Sequence, residues 1–396
     1  MAVARYFMTV PHPPVPNLSN VKFPNIVKMV SRDSWGALVK SIIFGSMSVI
    51  WMSVMSDAAI GNDGQFPFRN CHLVYRPTAS VVGTLTDTLI VPSSFQADTW
   101  TAYASYPPNC DSQNGAGADL IVAGNETLHG HAVREGSQLR REVLFLHFRP
   151  GNDAYLHQLT IMTRYSANLY SQKLTEGGPP VAIRDLSASD RSAALGNSEW
   201  LDWKSSAFQD WLDKQRLRKS ANESDIQFAW RTFLQIRASS SYWFEESQNR
   251  SVSKVIVGQR TDCGGLSGLF VATLRANQIP ARMLFGKWAE NEREGESIVE
   301  RSKNHVKSEF YAGTIGWIPV EISGAVINKS VPAINFFGNS LGNFITLHID
   351  PDLVLDTQII GNKRVDCLQN SGIWLHGTGT GLDKLNRKFH WAVERR

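Results

Sequence analysis

Gly258-Gln259-Arg260-Thr261-Asp262-Cys263-Gly264-Gly265 is the segment from which the rest of the chain is interpreted, because it joins a reactive side chain to the start of a helix. In the residues that follow, apolar side chains recur with the spacing of a helix that has one buried face. They are Leu266, Leu269, Phe270, Thr273 and Leu274. Pro280 ends the predicted helix, since its ring disfavours helical geometry at the preceding residue. Thr261 and Asp262 offer capping side chains.

Cys263 stands at the positive end of this predicted helix. The free backbone N–H groups and the helix dipole favour a thiolate there. Cys263 is therefore a candidate nucleophile. The alternative is that it is a buried structural cysteine or one half of a disulfide.

The composition is that of an ordinary globular protein. The chain has 396 residues, of which 42% are hydrophobic and 19% are charged. Its 40 basic and 36 acidic residues are mixed along the sequence and give a net charge of +4. Because the sequence contains no basic block of the kind that binds nucleic acid, we expect no nucleic-acid partner. The length allows two or three domains.

The first 60 residues are expected to be a disordered extension followed by an export signal. Residues 1–28 are rich in proline, and an uncharged, mostly apolar run follows Lys40 at residues 41–55. Ser56 and Ala58 place small side chains where a cleavage site needs them, which is typical of a secretory signal peptide. The alternative is an uncleaved N-terminal membrane anchor, although the run is short for a membrane span. We therefore expect a periplasmic or secreted protein.

Export would place the cysteines in an oxidising compartment, where they tend to pair. The chain has four cysteines, Cys71, Cys110, Cys263 and Cys367. Cys71 and Cys110 fall in the same predicted domain and could form a disulfide, but spacing alone does not fix the connectivity. A Cys263–Cys367 disulfide is the main structural alternative to a catalytic Cys263.

The order of apolar patterns predicts four parts after residue 60. Short β-branched and aromatic runs separated by Pro, Gly and Asn indicate a β-sandwich at 61–175. Small polar residues at 176–205 indicate a linker. Residues 206–330 combine helical spacing with strands around the Cys263 helix and are expected to form a core. Residues 331–396 are expected to add strands that complete this core.

A β-hairpin is predicted around Ala312-Gly313-Thr314. With Gly313 at the centre of the turn, His305 falls opposite Glu321. Directly opposed residues bring their Cβ atoms to about 5 Å, which is near enough for a carboxylate to hold an imidazole. Pro319 indicates that the second strand lies at a sheet edge or that its register is irregular.

Cys263, His305 and Glu321 together supply a nucleophile, a base and a group that orients the base. Cys263 would attack a carboxamide carbon, and its backbone N–H would donate to the oxyanion. His305 would pair with the thiolate and later protonate the leaving amine. Glu321 would hold the imidazole ring. Glu309 is the other acid in register and is interpreted as structural.

These residues belong to a pattern that resembles the transglutaminase-like superfamily over about residues 205–325. The pattern comprises Gly-x-x-x-Asp-Cys-Gly-Gly at 258–265, Leu274-Arg275-Ala276, Ile279-Pro280-Ala281-Arg282, His-x-x-x-Glu-Phe-Tyr at 305–311 and Gly-Trp-Ile-Pro-Val-Glu at 316–321. The resemblance implies an α+β, papain-like core, in which the Cys-bearing helix packs on an antiparallel sheet, with a Cys-His-Asp triad. It assigns the nucleophile to Cys263 and the base to His305. The preceding β-domain resembles that of bacterial exported members.

The chain departs from the family pattern at two positions. Glu321 stands where the family usually has Asp, so the bond to His305 must accommodate one more methylene. Lys307 stands where many members have Trp, and we expect its charge to be solvated rather than to select acidic substrates. In other members an upstream side chain completes the oxyanion hole, and Tyr242 and Trp243 are the candidates for this role here.

The sequence predicts an exported thiol enzyme that hydrolyses peptide or amide bonds through an acyl-enzyme on Cys263. One alternative is a transglutaminase that joins a glutamine carboxamide to an amine, and another is a non-catalytic module that binds peptide or cell-envelope material. The expected partner is a protein or peptide substrate, with envelope material as a further possibility. No cofactor is expected. His129-Gly130-His131 has no third ligand at suitable spacing, so we interpret it as a surface loop rather than a metal site.

Overall fold

Alternating apolar and polar residues form long antiparallel strands in the computed structural model, which describes residues 2–6, 66–123, 127–149, 158–177 and 185–396. The strands are β1 (Ala2–Tyr6), β2 (Cys71–Ile90), β3 (Phe95–Ser105), β4 (Gln113–Ala123), β5 (Leu128–His129), β6 (His131–Arg134), β7 (Glu142–Phe148), β8 (Gln158–Glu176), β9 (Ser241–Tyr242), β10 (Arg260–Thr261), β11 (Ala281–Trp288), β12 (Asn304–Ala312), β13 (Gly316–Val320), β14 (Asn339–Ser340), β15 (Phe344–Ile349), β16 (Leu353–Asp356), β17 (Asn362–Val365), β18 (Gly372–Gly379) and β19 (Asn386–Arg395).

The helices are fewer and most of them are short. They are α1 (Ala188–Ala193), α2 (Ser206–Lys214), α3 (Asp225–Ser239), α4 (Val252–Gly258), α5 (Cys263–Ala276), α6 (Ile298–Arg301) and α7 (Ile322–Ile327), with 3-10 turns at Ala333–Phe336 and Leu382–Lys384. Among the described helices, none has the length and apolar character needed to cross a bilayer. The predicted signal or anchor at residues 41–55 lies outside the described residues.

Two sheets pack face to face and combine strands from the first part of the described chain with strands from its end. One has the strand order β1-β18-β3-β7-β6, and the other has the order β19-β2-β8-β4-β5, with β14 paired to β8. Along β2, every second residue from Val81 to Leu89 is buried, as the pleat of a half-buried strand requires. Leu89 joins Trp100 and Ile161 in the apolar cluster between the sheets. The predicted sheet-rich region before the core is therefore confirmed.

The ends of the chain differ from the sequence-based expectation. Within residues 331–396, β15 joins the core sheet as expected, but β18 and β19 pair with β3 and β2 of the sandwich. Ala2–Tyr6 pairs with β18, whereas a disordered extension was predicted there. The predicted linker at 176–205 contains helix α1 and contributes Trp200 and Leu201 to the core. These pairings join residues far apart in sequence, and alternation alone does not identify such partners.

The core is a four-stranded sheet, β13-β12-β11-β15, with α5 packed against β11 and β12. Residues from Gly264 to Arg275 are buried, so α5 is enclosed on all sides rather than on the one face that its pattern predicted. Two glycines allow the close approach of neighbours. A Cβ at Gly265 would lie 2.0 Å from Oγ1 of Thr261, and one at Gly268 would lie 3.0 Å from Nε1 of Trp200.

A further apolar cluster links the sandwich to the core sheet. Leu85, Tyr165 and Trp391 of the sandwich pack there with Ile345 and Leu347 of β15. All of the described residues fall in one unit. The fold is therefore of the mixed α and β class, rich in strands, with the Cys263 helix on an antiparallel sheet after a sheet-rich region.

Candidate active site

Cys263 is the first residue of α5, and the residue before it holds the start of the helix. Asp262 is the N-cap, and its Oδ1 accepts a hydrogen bond from the Gly265 N–H at 3.1 Å. Arg250 forms an ion pair with the same carboxylate, with Nη2 2.7 Å from Oδ2. The capping predicted for Asp262 is present, and it fixes the backbone next to the partly exposed Cys263.

The pKa of the Cys263 thiol is raised above its ordinary value of 9.0. Burial is the largest cause, and the negative charge of Asp262 adds to it. The expectation that the helix start favours a thiolate is therefore wrong. A helix dipole contributes about 0.3–1 kcal/mol, which is less than the combined effect of burial and nearby acids.

The start of α5 contacts the strand that carries His305. The backbone of Val306, the residue that follows His305, lies beside the Cys263 sulfur and acts to lower the pKa of its thiol. One turn further along α5, the Ser267 hydroxyl donates to the Val306 carbonyl at 3.2 Å. Together these contacts place Cys263 at the end of β12 that carries His305.

The imidazole of His305 lies among aromatic side chains. It stacks on Trp288 with ring centroids 4.6 Å apart and an interplanar angle of 24°. Phe344 meets the same ring edge-on, with centroids 6.1 Å apart. These contacts limit rotation of the imidazole and keep most water away from its faces.

Glu321 binds the Nε2 side of His305. Its two carboxylate oxygens lie 3.0 and 2.9 Å from Nε2, which leaves Nδ1 for exchange with another group. The structure brings together the two side chains that the hairpin argument paired, but it does so through a different register. Ser308 pairs with Val320, whereas the predicted register paired Ser308 with the residue two positions earlier. Glu321 therefore lies just after the end of β13, where it is the N-cap of α7.

The charge on Glu321 is stabilised from several directions. Burial disfavours that charge, but His305, Lys307 and the Ser323 hydroxyl outweigh burial and bring the pKa of the carboxyl to about 2. The Ser323 Oγ donates to Oε1 at 2.7 Å, and the Gly324 N–H donates to the same oxygen at 3.2 Å. At neutral pH, Glu321 is therefore an anion in contact with the imidazole.

Lys307 is buried, whereas the sequence predicted a solvated charge. Its Nζ lies 4.6 Å from the ring centroid of Trp288 and 5.0 Å from that of Phe344. The same nitrogen is 3.9 Å from Oε2 of Glu321. Burial lowers the pKa of Lys307, and the charge of Glu321 opposes that change. Lys307 thus places its amine beside the acid that contacts His305.

Of the two upstream candidates for the oxyanion hole, Tyr242 is the one close to the site. β9 pairs with β10 in parallel, with Tyr242 opposite Thr261. Desolvation raises the pKa of the Tyr242 hydroxyl, and the charges of Cys263, Asp262 and Glu321 raise it further. Trp243 is instead covered by the Arg260 guanidinium, 3.9 Å from its ring centroid.

Several contacts of the three site residues were missed in the sequence. Trp288 is the last residue of β11, which neighbours the strand that carries His305. That position is the only local feature that indicates its contact with the imidazole. Arg250 and Gln369 lie in loops, and nothing in their own segments indicates that they reach the site. Glu309, interpreted as structural, is bound by Arg282 with Nη2 2.5 Å from Oε1.

The other predicted features concern metals and disulfides. Within the described residues, no group of three or more His, Cys, Asp or Glu side chains could hold a metal ion. His129 and His131 lie in β5 and β6 rather than in a loop, and both are exposed. All four cysteines have free thiols in this structure, so neither Cys71–Cys110 nor Cys263–Cys367 forms a disulfide.

Residues 214–322 match the family model described as the transglutaminase-like superfamily. The match contains Cys263, His305 and Glu321, and this part of the chain is a transglutaminase-like domain. No match was found among curated proteins.

Solved structures similar to this chain include a candidate cysteine protease from Cytophaga hutchinsonii. It is 13% identical, with a TM-score of 0.47, and the similarity covers 81% of this chain and 93% of the other. The periplasmic domain of TgpA from Pseudomonas aeruginosa is 12% identical, with a TM-score of 0.31, over 64% of this chain and 94% of the other. With TM-scores below 0.5, these likenesses add nothing to the family match.

Proposed function

We propose that this chain is a thiol enzyme that hydrolyses peptide or amide bonds through an acyl-enzyme on Cys263. The observation that carries the proposal is the contact of both Glu321 oxygens with Nε2 of His305, at 3.0 and 2.9 Å, on the strand that Cys263 touches. A nucleophile, a base and an anion that orients the base are the three groups that acyl transfer requires.

In the first half of the reaction, the Cys263 sulfur attacks the carbonyl carbon while its proton passes to His305. The raised pKa of the Cys263 thiol makes this transfer part of the attack rather than a step that precedes it. The carbonyl electrons move to oxygen, and the Cys263 backbone N–H at the helix start donates to that oxyanion. Collapse breaks the C–N bond, and His305 returns the proton to the leaving amine.

In the second half, water replaces the amine. Water attacks the thioester carbon and gives a proton to His305. Collapse breaks the C–S bond, His305 returns the proton to the Cys263 sulfur, and a carboxylic acid is released. Glu321 stabilises the imidazolium that forms in both halves. If an amine attacks the thioester in place of water, the product is an amide cross-link. The two reactions therefore differ only in the nucleophile that reaches the thioester.

We also propose that the protein is exported and that its substrate is a protein or peptide, with cell-envelope material as the alternative. The support is the apolar run at residues 41–55 after Lys40, with Ser56 and Ala58 behind it. N-terminal sequencing of the protein recovered from its host distinguishes the forms. A mature chain that starts after Ala58 indicates a cleaved signal, and an intact run in the membrane fraction indicates an anchor.

The function is tested with wild-type protein and Cys263→Ala on N,N-dimethylated casein, with and without a fluorescent primary amine. We expect new peptides or released ammonia from the wild type without the amine, and neither from Cys263→Ala at equal thermal stability. Amine incorporation in place of hydrolysis would identify a transglutaminase. Equal hydrolysis by the two proteins would overturn the proposed nucleophile.

A further inference from the structure

A loop from outside the family-matched region holds the backbone of His305. This loop, residues 366–370, connects β17 to β18 and is called the 366–370 loop below. Within it, the buried Gln369 donates through Nε2 to the carbonyl of Gly286 at 2.7 Å and to the carbonyl of His305 at 2.8 Å. Gly286 and His305 face each other across β11 and β12. One amide group therefore ties the two strands together at the position of the base.

The sheet supports His305 from one side, through the regular pairing of β12 with β11. β13 pairs with β12 only from Ser308 to Ala312, so His305 lies beyond that ladder. On the other side of β11, the pairing with β15 shifts register between Phe285 and Gly286. A Cβ at Gly286 would lie 2.0 Å from the Ile345 carbonyl oxygen, so the strands are unusually close there. β11 and β12 pair regularly past His305, but among the described strands β12 has no partner on its other edge there, and the β11–β15 ladder is irregular beside Gly286. The bonds from Gln369 therefore add a restraint at a position that the sheet supports from one side.

A second connection runs from the same loop to the residue before His305. The buried Nζ of Lys287 donates to Oδ1 of Asn370 at 2.8 Å and to Oδ1 of Asn304 at 2.6 Å. It also donates to the Ser302 carbonyl at 2.7 Å. Three acceptors match the three N–H groups of an ammonium. The 366–370 loop is therefore linked to the His305 strand through a network as well as directly.

The loop is itself anchored on both sides. The Leu368 N–H donates to Nε2 of His348 on β15 at 3.0 Å, and the Ser105 hydroxyl of β3 donates to the Leu368 carbonyl at 2.6 Å. Gln369 thus connects β12, the strand that carries the base, to β15 and to β3 of the sandwich.

We propose that Gln369 is a positioning residue that sets the place of His305 relative to Cys263. The inference rests on the proposed function, in which His305 is the base. Gln369 touches no reacting atom, and it acts by holding two backbone carbonyls. Displacement of a catalytic group by 1 Å can reduce a rate by about 100-fold, so a partial loss of restraint at His305 is measurable.

The test compares the rate of Cys263 alkylation by iodoacetamide in wild type, Gln369→Leu and His305→Gln, read by mass spectrometry. Gln369→Leu keeps the volume and removes both donors. We expect its rate at neutral pH to fall about 10-fold, part of the way to that of His305→Gln. As the pH rises toward the raised pKa of the Cys263 thiol, the difference should shrink, because hydroxide then removes the proton in place of the base.

Gln113→Leu is the matched control for stability. Gln113 is equally buried, and its Nε2 also donates to two carbonyls, those of Pro108 at 2.7 Å and Thr346 at 2.8 Å. We expect Gln113→Leu to lower the melting temperature while its alkylation rate stays within about twofold of wild type. If Gln369→Leu does not fold, Gln369→Asn replaces it, since its shorter amide reaches one carbonyl at most and should give an intermediate rate.

The outcomes separate this inference from the proposed function. If His305→Gln reacts as fast as wild type, His305 is not the base and the proposed function fails. If His305→Gln is slow but the folded Gln369 variant reacts like wild type, the positioning role of Gln369 is wrong. A rate loss in Gln113→Leu equal to that in Gln369→Leu would also overturn the role, because it would show a general effect of stability.

Discussion

Glu321 combines two tasks in one side chain. Its Oε1 caps α7 by accepting from Ser323 Oγ and Gly324 N, and both oxygens contact Nε2 of His305. Because Glu321 lies after β13 rather than on the strand, the carboxylate reaches the imidazole from the side of the helix start. The additional methylene relative to aspartate, noted in the sequence as a departure, contributes to this reach.

We predict that Glu321→Gln reduces kcat by about 100-fold or more with little change in KM. The amide keeps the size of the side chain but carries no charge to stabilise the imidazolium. Initial rates on the casein substrate measure the effect, and circular dichroism shows whether the fold is retained. Glu223→Gln is the control, since Glu223 pairs with Arg231 at 2.8 Å in another part of the domain and should leave kcat unchanged. Full activity in Glu321→Gln would remove Glu321 from the mechanism.

At the level of single residues, the sequence predicted the contact between His305 and Glu321. It did not predict the raised pKa of Cys263 or the burial of Lys307. Position at a helix start suggested a thiolate for Cys263, yet burial and Asp262 raise its pKa. Lys307 was expected in solvent, yet it packs on Trp288 beside Glu321. Both errors have one cause, because the pKa and exposure of a side chain depend on neighbours that the local sequence does not reveal.

At the level of elements, the β12–β13 hairpin was predicted but its register was not. The prediction centred the turn on Gly313. In the structure the Ile315 N–H bonds to the Ala312 carbonyl at 2.8 Å, and Gly316 has a φ of 97°. The connection is the three residues 313–315, and Gly316, which has the positive φ, is the first residue of β13. Two glycines were available, and the sequence did not show which of them would take the positive φ.

The helix at Cys263 was the most predictable element. Its cap at Asp262 and its apolar spacing were both visible in the sequence. The completeness of its burial was not, because the covering residues, such as Trp200, come from a segment interpreted as a linker. Similarly, β18 is a mostly buried run and β19 alternates like any half-buried strand, and neither pattern identifies the sandwich partners nearly 300 residues earlier in the chain.

At the level of the whole molecule, stability should depend on His348 where the core meets the 366–370 loop. This buried ring accepts a hydrogen bond from the Leu368 N–H through Nε2, and Nδ1 lies 3.0 Å from the Asp350 carbonyl. Only the neutral imidazole can accept this bond at Nε2, because both nitrogens of the protonated ring are donors. Burial, together with the charge of Arg141, lowers its pKa from 6.5 to about 3.

We therefore predict that the free energy of unfolding falls with acidification between pH 6.5 and the onset of carboxyl protonation. In that range the unfolded chain binds a proton at His348 and the folded chain does not, so this stabilisation is complete above pH 6.5 and is lost as pH falls toward 3. The slope approaches about 1.4 kcal/mol per pH unit for one proton. Urea unfolding at several pH values measures it.

His348→Gln should show a smaller slope over the same range, and His390→Gln serves as the control because the His390 side chain is 63% exposed. An unchanged slope in His348→Gln would show that other groups control the pH dependence. Glu321 adds a loss of the same sign only at lower pH, since its pKa falls from 4.5 to about 2 on folding.

The central claim is that His305 activates Cys263, and the alkylation rate of Cys263 in wild type and His305→Gln at neutral pH tests it most directly. Cys71, Cys110 and Cys367 provide internal references in the same digest. The account predicts that Cys263 reacts faster than these three in wild type and slows by at least about 10-fold in His305→Gln. Equal rates for Cys263 in the two proteins would contradict it.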